Sequence, residues 1–200
     1  MENNRYNFPA RTNNPCEWYY FDKAFSREEL NKIEKDVATL EYVRASTFDH
    51  SLVEDRKSRI KWIPQNEQWD WLYHKLMQLA SLANDEMWGF DLQSASQQIQ
   101  YTEYNSNELG KYEWHQDIGP NEGSNRKISI TVQLSDDNEY KGGDLCFWNG
   151  GRSLEENVDY APKSAGNVVI FPSYLVHSVK PVTQGIRKSF VIWLGGNTFR

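Results

Sequence analysis

The stretch Ile128-Ser129-Ile130-Thr131-Val132-Gln133-Leu134 decides the fold class. Apolar residues at every second position alternate with Ser129, Thr131 and Gln133, the period of two that marks a half-buried strand. Before about residue 93 the period is instead that of a helix. Ser26-Arg27-Glu28-Glu29 reads as a capping box, and Leu30, Ile33, Val37 and Leu40 follow at helical spacing, which predicts a helix over 27–41. A second helical pattern runs from about 67 to 87, with Trp69, Leu72, Leu76, Leu79, Leu82 and Ala83 on one stripe and Gly89 as its stop. Between the two, a polar stretch over 46–58 precedes Arg59-Ile60-Lys61-Trp62-Ile63, whose alternation suits a strand. Downstream, strand candidates at 98–105, 111–116, 144–148, 167–171, 174–179 and 188–194 are divided by turn chemistry such as Gly142-Gly143 and Asn149-Gly150-Gly151. Seven or eight short strands with tight turns imply a sandwich or jelly roll, with helices against one face.

The chain has 200 residues, enough for one sizeable core without disulfide or metal staples. Neither repeats nor a Pro/Gly/Ser linker divide it, so the expectation is a single domain over 1–200, with a helical and strand support region at 1–93 and a core at 94–200. Basic residues number 22 against 28 acidic ones, a net charge of −6 that argues against broad binding to nucleic acid or anionic membranes. No apolar run approaches the roughly 18–20 residues of a membrane span. The opening Met1-Glu2-Asn3-Asn4-Arg5-Tyr6-Asn7 has no secretory pattern, and Cys16 and Cys146 make no disulfide framework; both point to a cytoplasmic protein with two thiols. Eight tryptophans and 14% aromatic residues are read first as core packing.

Four histidines bound any imidazole chemistry. His74 falls within the second helical pattern and is read as structural; His50 lies in the polar stretch and is read as solvated. His115-Gln116-Asp117 ends a strand candidate, where residues i and i+2 project from one face. His177 sits in an otherwise apolar strand candidate. Together, two imidazoles and one carboxylate are the facial donor set that leaves positions open on non-haem Fe(II), and the same donors suit catalytic zinc. Arg187 follows His177 across Lys180-Pro181-Val182-Thr183-Gln184-Gly185, which reads as a turn returning an antiparallel strand. On a strand beside the metal ligand, its guanidinium fork suits bidentate binding of a carboxylate. Ser189, Val191 and Trp193 share that face, the serine as a further donor and the other two to keep the pocket dry.

The ordered set Tyr104-x5-Gly110-x-Tyr112-x2-His115-x-Asp117, Tyr140-x-Gly142-Gly143-Asp144-Leu145 and His177-x-Val179-x-Pro181-Val182-Thr183-x-Gly185-x-Arg187, closed by Trp193, resembles the prolyl 4-hydroxylase-like family. That family is a branch of the 2-oxoglutarate/Fe(II)-dependent dioxygenases, and the likeness covers about 98–196. It implies a mainly β fold with supporting α-helices (α+β), a double-stranded β-helix or jelly roll with N-terminal helices packed on one face. It further implies that His115, Asp117 and His177 bind Fe(II), that Arg187 binds the distal carboxylate of 2-oxoglutarate, and that Tyr104 assists. The family often has lysine where Arg187 stands, and Gln133 falls where some members place a co-substrate-binding tyrosine. With O2, the implied reaction hydroxylates a substrate C–H and releases succinate and CO2; ascorbate as a supporting reductant is part of the same implication.

Substrate access is expected from the loops 46–58 and 119–125. Tyr112 and Trp114 are candidate aromatic contacts, within a wider group of Tyr101, Tyr104, Trp148 and Trp193 expected near the barrel mouth or interior. Arg56-Lys57-Ser58-Arg59-Ile60-Lys61 is the densest basic run, so Arg56 and Arg59 are candidates for docking an acidic peptide or a phosphate. The family points first to a prolyl residue in a peptide or protein, with free amino acids and other peptide residues as alternatives. A nucleobase-acting relative would want a basic groove, against the net charge. A zinc hydrolase would share the ligands but leave Arg187 without a role, and no HExxH helix is present. A non-catalytic jelly-roll binding module would not require His115, Asp117, His177 and Arg187 together.

Overall fold

A computed structural model describes residues 18–44, 55–120 and 123–197. Cys16, His50, the opening heptapeptide, most of the 46–58 stretch and part of the 119–125 loop lie outside them. In chain order the elements are β1 (Tyr19–Phe21), α1 (Arg27–Val37), β2 (Val43–Arg44), β3 (Arg56–Lys57), β4 (Arg59–Ile63), α2 (Asp70–Met87), β5 (Leu92–Ala95) and β6 (Ile99–Asn105). There follow β7 (Lys111–His115), β8 (Arg126–Gln133), β9 (Tyr140–Gly142), β10 (Leu145–Trp148), β11 (Val158–Tyr160), β12 (Val168–Pro172), β13 (His177–Val179) and β14 (Val182–Gly196). A nine-stranded antiparallel sheet runs β1-β12-β8-β14-β6-β4-β2, with β5 and β9 also on β14. A five-stranded sheet runs β11-β10-β13-β7-β3. Early strands therefore complete both sheets: β1, β2 and β4 join the large one and β3 the small one.

Two hydrophobic clusters hold this arrangement. One joins Leu30, Ile33 and Val37 of α1 and Leu72, Leu76, Ala80 and Ala83 of α2 with Ile128, Ile130 and Val132 of β8 and Phe190 and Ile192 of β14. The other, with Tyr104, Leu145, Phe147, Phe171 and Val179, lies between the sheets. Tyr73 ties α2 to the large sheet, donating to the Ile63 carbonyl (2.7 Å) and accepting from the Ile99 amide (2.9 Å).

The capping box forms as read: the Glu29 amide donates to Ser26 Oγ (3.2 Å) and the Ser26 amide to Glu29 Oε2 (2.7 Å). That helix stops at Val37 rather than 41, because the Thr39 hydroxyl turns back onto the Asp36 carbonyl and the Leu40 amide onto the Val37 carbonyl. The second helix begins at Asp70 and stops where the Gly89 amide closes on the Asn84 carbonyl. Leu82 is no core residue: two positions beyond buried Ala80 it has turned about 200° around the helix, and it is 61% exposed.

Strand 128–134 appears as β8, and it is buried on both faces rather than one. The apolar face meets the helices; the Ser129, Thr131 and Gln133 face turns inward between the sheets, so these polar side chains are buried, not solvated. The segment expected as a turn after His177 also differs. Residues 182–185 pair with β9 through a register shift and are the start of β14, the longest strand, which lies in the large sheet while β13 lies in the small one. Just past that shift Gly185 has φ +72°, and a Cβ there would fall 2.1 Å from the Glu139 carbonyl oxygen, so the position requires glycine.

Candidate metal and anion site

The register of β7 against β13 sets His115 directly opposite His177. Their rings lie 4.2 Å apart, centroid to centroid. Asp117 joins them from beyond the end of β7: its amide donates to the Ser173 carbonyl (2.8 Å), so the convergence owes more to this backbone anchor than to strand alternation. His115 Nε2 is 3.6 Å from Asp117 Oδ1 and His177 Nε2 is 3.5 Å from Asp117 Oδ2. One ligand atom from each residue lies within 4.8 Å of the others, which suits a single ion.

Each imidazole is oriented by a backbone carbonyl. His115 Nδ1 meets the Glu113 oxygen at 2.7 Å and His177 Nδ1 the Leu175 oxygen at 2.8 Å. A carbonyl accepts only from a protonated nitrogen, so Nδ1 carries the proton and Nε2 presents its lone pair to the cluster. Burial, followed by the neighbouring His115 ring, pushes His177 down to about 4, leaving it neutral at pH 7. Burial alone would raise Asp117, but His177, His115 and the Ser129 hydroxyl (2.6 Å to Oδ2) outweigh it and hold the carboxyl well below its usual range. An ionised carboxylate and two neutral imidazoles are what a divalent cation requires of its donors.

Across the cleft, Arg187 of β14 is buried at 2% exposure. Its Nη1 donates to Ser189 Oγ (3.1 Å) and its Nη2 to Gln133 Oε1 (2.9 Å), and the cation lies 5.4 Å from the Tyr104 ring centre. These partners are all neutral; no ion pair with Arg187 occurs among the described residues. Gly143 gives the stem room, since a Cβ there would lie 3.0 Å from Arg187 Cδ. A buried cation lacking a counter-charge is costly, so the site is built for an anion. The fit to a metal with an anionic co-ligand is therefore good on both counts.

The walls of the cleft include Tyr104, Ser189, Val191 and Trp193 from the large sheet and Tyr112 and Arg56 from the small one. The indole Nε1 of Trp193 is buried without a hydrogen-bond partner among the described residues. Gln133 and Ser129, which hold Arg187 and Asp117, are candidate site residues beyond those the sequence singled out, the first treated only as a departure and the second as a solvent-facing strand residue. Their regular alternation on a strand flanked by buried neighbours is the signal that could have found them.

Two expected contacts are not in the cleft. Trp114 points away because β7 carries a bulge: His115 pairs with His177 but Tyr112 with Val179, so one extra residue lies between them on β7. Tyr112 and His115 then face inward together, stacked at 3.5 Å. Trp114 instead donates to Glu155 Oε1 (3.1 Å) beneath Lys180. Arg59 opens β4 in the large sheet with its side chain 61% exposed and 3.6 Å from Glu108. The basic run is thus no single patch, for Lys61 is buried against the Val37 carbonyl while Arg56 turns into the cleft. Tyr101 belongs to the helix-side core, and Trp148 donates to the Ser153 carbonyl. His74 is exposed on α2. Cys146 is buried and free.

Two antiparallel sheets closing on a two-histidine, one-carboxylate cluster, with an unpaired arginine opposite, define a jelly-roll protein made to hold a metal beside an anion. Residues 99–195, just under half of the chain, match the model of the 2OG-Fe(II) oxygenase superfamily, and the donor cluster and Arg187 lie within that span. Members of that superfamily are dioxygenases that use Fe(II), 2-oxoglutarate and O2. A PKHD-type hydroxylase of Synechococcus sp. (strain CC9605) is 37% identical over 83 residues, 42% of this chain and 36% of that protein. The chain thus matches about a third of that relative's length. Among solved structures, a prolyl hydroxylase from Trichoplax adhaerens, in complex with a hypoxia inducible factor oxygen degradation domain peptide, superposes with a TM-score of 0.72 at 16% identity, over 89% of this chain and 83% of that one. A Pseudomonas putida prolyl-4-hydroxylase gives 0.64 at 19% identity, over 90% and 92%. At these identities the structures speak for the shared fold. No helix among the described residues is long and apolar enough to cross a membrane.

Proposed function

We propose that this chain is a 2-oxoglutarate- and Fe(II)-dependent hydroxylase, with a prolyl residue of a peptide or protein as the first substrate class to test. His115, Asp117 and His177 hold the metal through Nε2, a carboxylate oxygen and Nε2. Arg187, supported by Ser189 and Gln133, takes the distal carboxylate of the co-substrate, and Tyr104 packs along it. Bound there, iron and 2-oxoglutarate supply the O2 chemistry that oxidises a C–H bond and releases succinate and CO2. The chain's own part is positioning: the carbonyls of Glu113 and Leu175 keep both imidazoles in the ligating tautomer, and Ser129 fixes the Asp117 carboxylate. Val191, Phe171 and Trp193 keep water from the reacting centre.

The single observation that carries this reading is the buried Arg187, paired only with neutral acceptors and facing the same cleft as the donor cluster. A zinc hydrolase gains nothing from it and would need a general base, whereas Asp117 is the one carboxylate among the residues lining the cleft. The test is anaerobic absorption spectroscopy of metal-free protein titrated with Fe(II) and then 2-oxoglutarate. A visible charge-transfer band is expected, lost in His177→Ala and needing far more co-substrate in Arg187→Ala. Folded protein that gives no band under these conditions overturns the reading. Mass spectrometry of prolyl peptides then checks the substrate: succinate without a gain of one oxygen removes the prolyl assignment and leaves the oxygenase.

A further inference from the structure

The cleft holds a second cation that co-substrate binding does not use. Arg56 of β3 is paired in register with Tyr112 of β7, and its guanidinium lies 4.8 Å from the Tyr112 ring centre. Tyr112 in turn stacks on the His115 imidazole, so Arg56, Tyr112 and the metal-ligating ring form a column of three planes. Arg56 donates from Nε to Ser58 Oγ (2.9 Å) and from Nη2 to Gln100 Oε1 (2.6 Å) and Thr102 Oγ1 (3.5 Å). All three acceptors are neutral, none of these bonds uses Nη1, and no carboxylate pairs with Arg56 among the described residues. Its neighbour in sequence, Arg59, behaves as an ordinary surface cation and lies against Glu108.

An arginine held by two side chains of β6 and by Ser58 in the β3–β4 link, stacked on a ring and turned into the reaction cleft with no partner for Nη1 among the described residues, is preorganised for an oxyanion. Arg187 is committed to the co-substrate. Resting on the function proposed above, we propose that Arg56 binds a carboxylate of the substrate, so that the molecule oxidised carries a negative group one ring-stack from the metal. The carboxylate has two sources, the α-carboxylate of a free amino acid or the side chain of Asp or Glu in a peptide. Either narrows the prolyl reading, to free proline or to proline beside an acidic residue.

The experiment measures succinate formation and substrate mass gain with the Fe(II)-loaded full chain in three arms: the twenty free amino acids, peptides capped at both ends that contain Pro beside Asp or Glu, and capped peptides with Pro beside Ala. Stimulated succinate and a gain of one oxygen in the first or second arm, and not the third, are expected, and which arm responds tells the two sources apart. With the responding compound, Arg56→Gln raises KM by about 10- to 100-fold, the loss of a hydrogen-bonded charge, with kcat within about threefold; Arg56→Lys recovers part of it. Turnover of the neutral peptides equal to the acidic ones, an unchanged KM in Arg56→Gln, or succinate at the unstimulated rate in every arm overturns the assignment and leaves the oxygenase standing. Absence of any succinate, with no charge-transfer band, removes the oxygenase reading itself and this inference with it.

Discussion

Arg187→Met separates what the guanidinium costs the fold from what it contributes to binding. Without co-substrate, the substitution relieves the desolvation of an unpaired buried cation, worth several kcal/mol. It also leaves Gln133 Oε1 and Ser189 Oγ without their donor, at about 1–3 kcal/mol each. These oppose one another, so the melting temperature of the metal-loaded protein should move by only about 2–4 °C, the equivalent of 1 kcal/mol at this size. With 2-oxoglutarate the balance is one-sided. A buried, charge-assisted pair worth about 3 kcal/mol raises Kd by roughly 150-fold when removed. At a concentration 100 times its Kd, the co-substrate stabilises the native protein by about 2.7 kcal/mol, or about 5–10 °C. At the same concentration the variant gains about 0.3 kcal/mol, near 1 °C. Anaerobic scanning calorimetry with Fe(II), with and without 2-oxoglutarate, reads both quantities. A variant that keeps the full co-substrate shift would refute the role given to Arg187; a collapse of the co-substrate-free protein would refute the claim that its cation is uncompensated.

Three further outcomes follow from particular contacts. Ser129→Ala frees Asp117 Oδ2 from its 2.6 Å donor, and metal affinity should fall by about 10- to 100-fold in competition with a chromogenic chelator. In metal-free protein His177 titrates near 4 when folded, against the ordinary value near 6.5 when unfolded. The unfolded chain therefore binds the extra proton between those values, so stability is fully present above about 6.5 and declines as pH falls towards 4; urea midpoints should show this slope, and His177→Gln should flatten it. Asp117, whose folded pKa is also depressed, adds its own loss only below the ordinary carboxylate range. Gly185→Ala places a Cβ 2.1 Å from the Glu139 oxygen at φ +72°, and should cost about 2 kcal/mol or more, a drop of at least roughly 4 °C in calorimetry. Because Arg187 is two residues on, co-substrate affinity should fall with it.

The site was legible where it depends on residue type and the fold where it depends on periodicity. His115, Asp117, His177 and Arg187 could be singled out because few other residue types suit a metal or a buried anion, and the structure brings them to one cleft; β4 and α2 follow from local patterns. What depends on pairing was hidden. Nothing in Lys111-Tyr112-Glu113-Trp114-His115 declares a bulge, since a bulge is a mismatch with β13 and exists only once that partner is in place. The error on Trp114 follows from this, because regular alternation puts it on the face of Tyr112. In the same way, Thr183-Gln184-Gly185 has the composition of a turn, yet it crosses between sheets and pairs with β9. Polar residues on β8 were read as facing water because a sequence does not show that a second sheet covers that face.

Two of the candidate donors, His115 and His177, belong to the small sheet and Arg187 to the large one, so the separation of the cation and anion sites is a distance between two sheets, which commonly stack about 10 Å apart. Such a frame would act as a calliper on chain length, so a diacid shorter by one methylene should bridge the two sites less well. Its jaws are held by packing residues that offer no donor atom. Phe147 and Phe171, packed edge to face 4.9 Å apart where the sheets meet, hold the opening. Trimming either side chain would let the jaws drift and blur the choice of co-substrate well before the protein lost its fold.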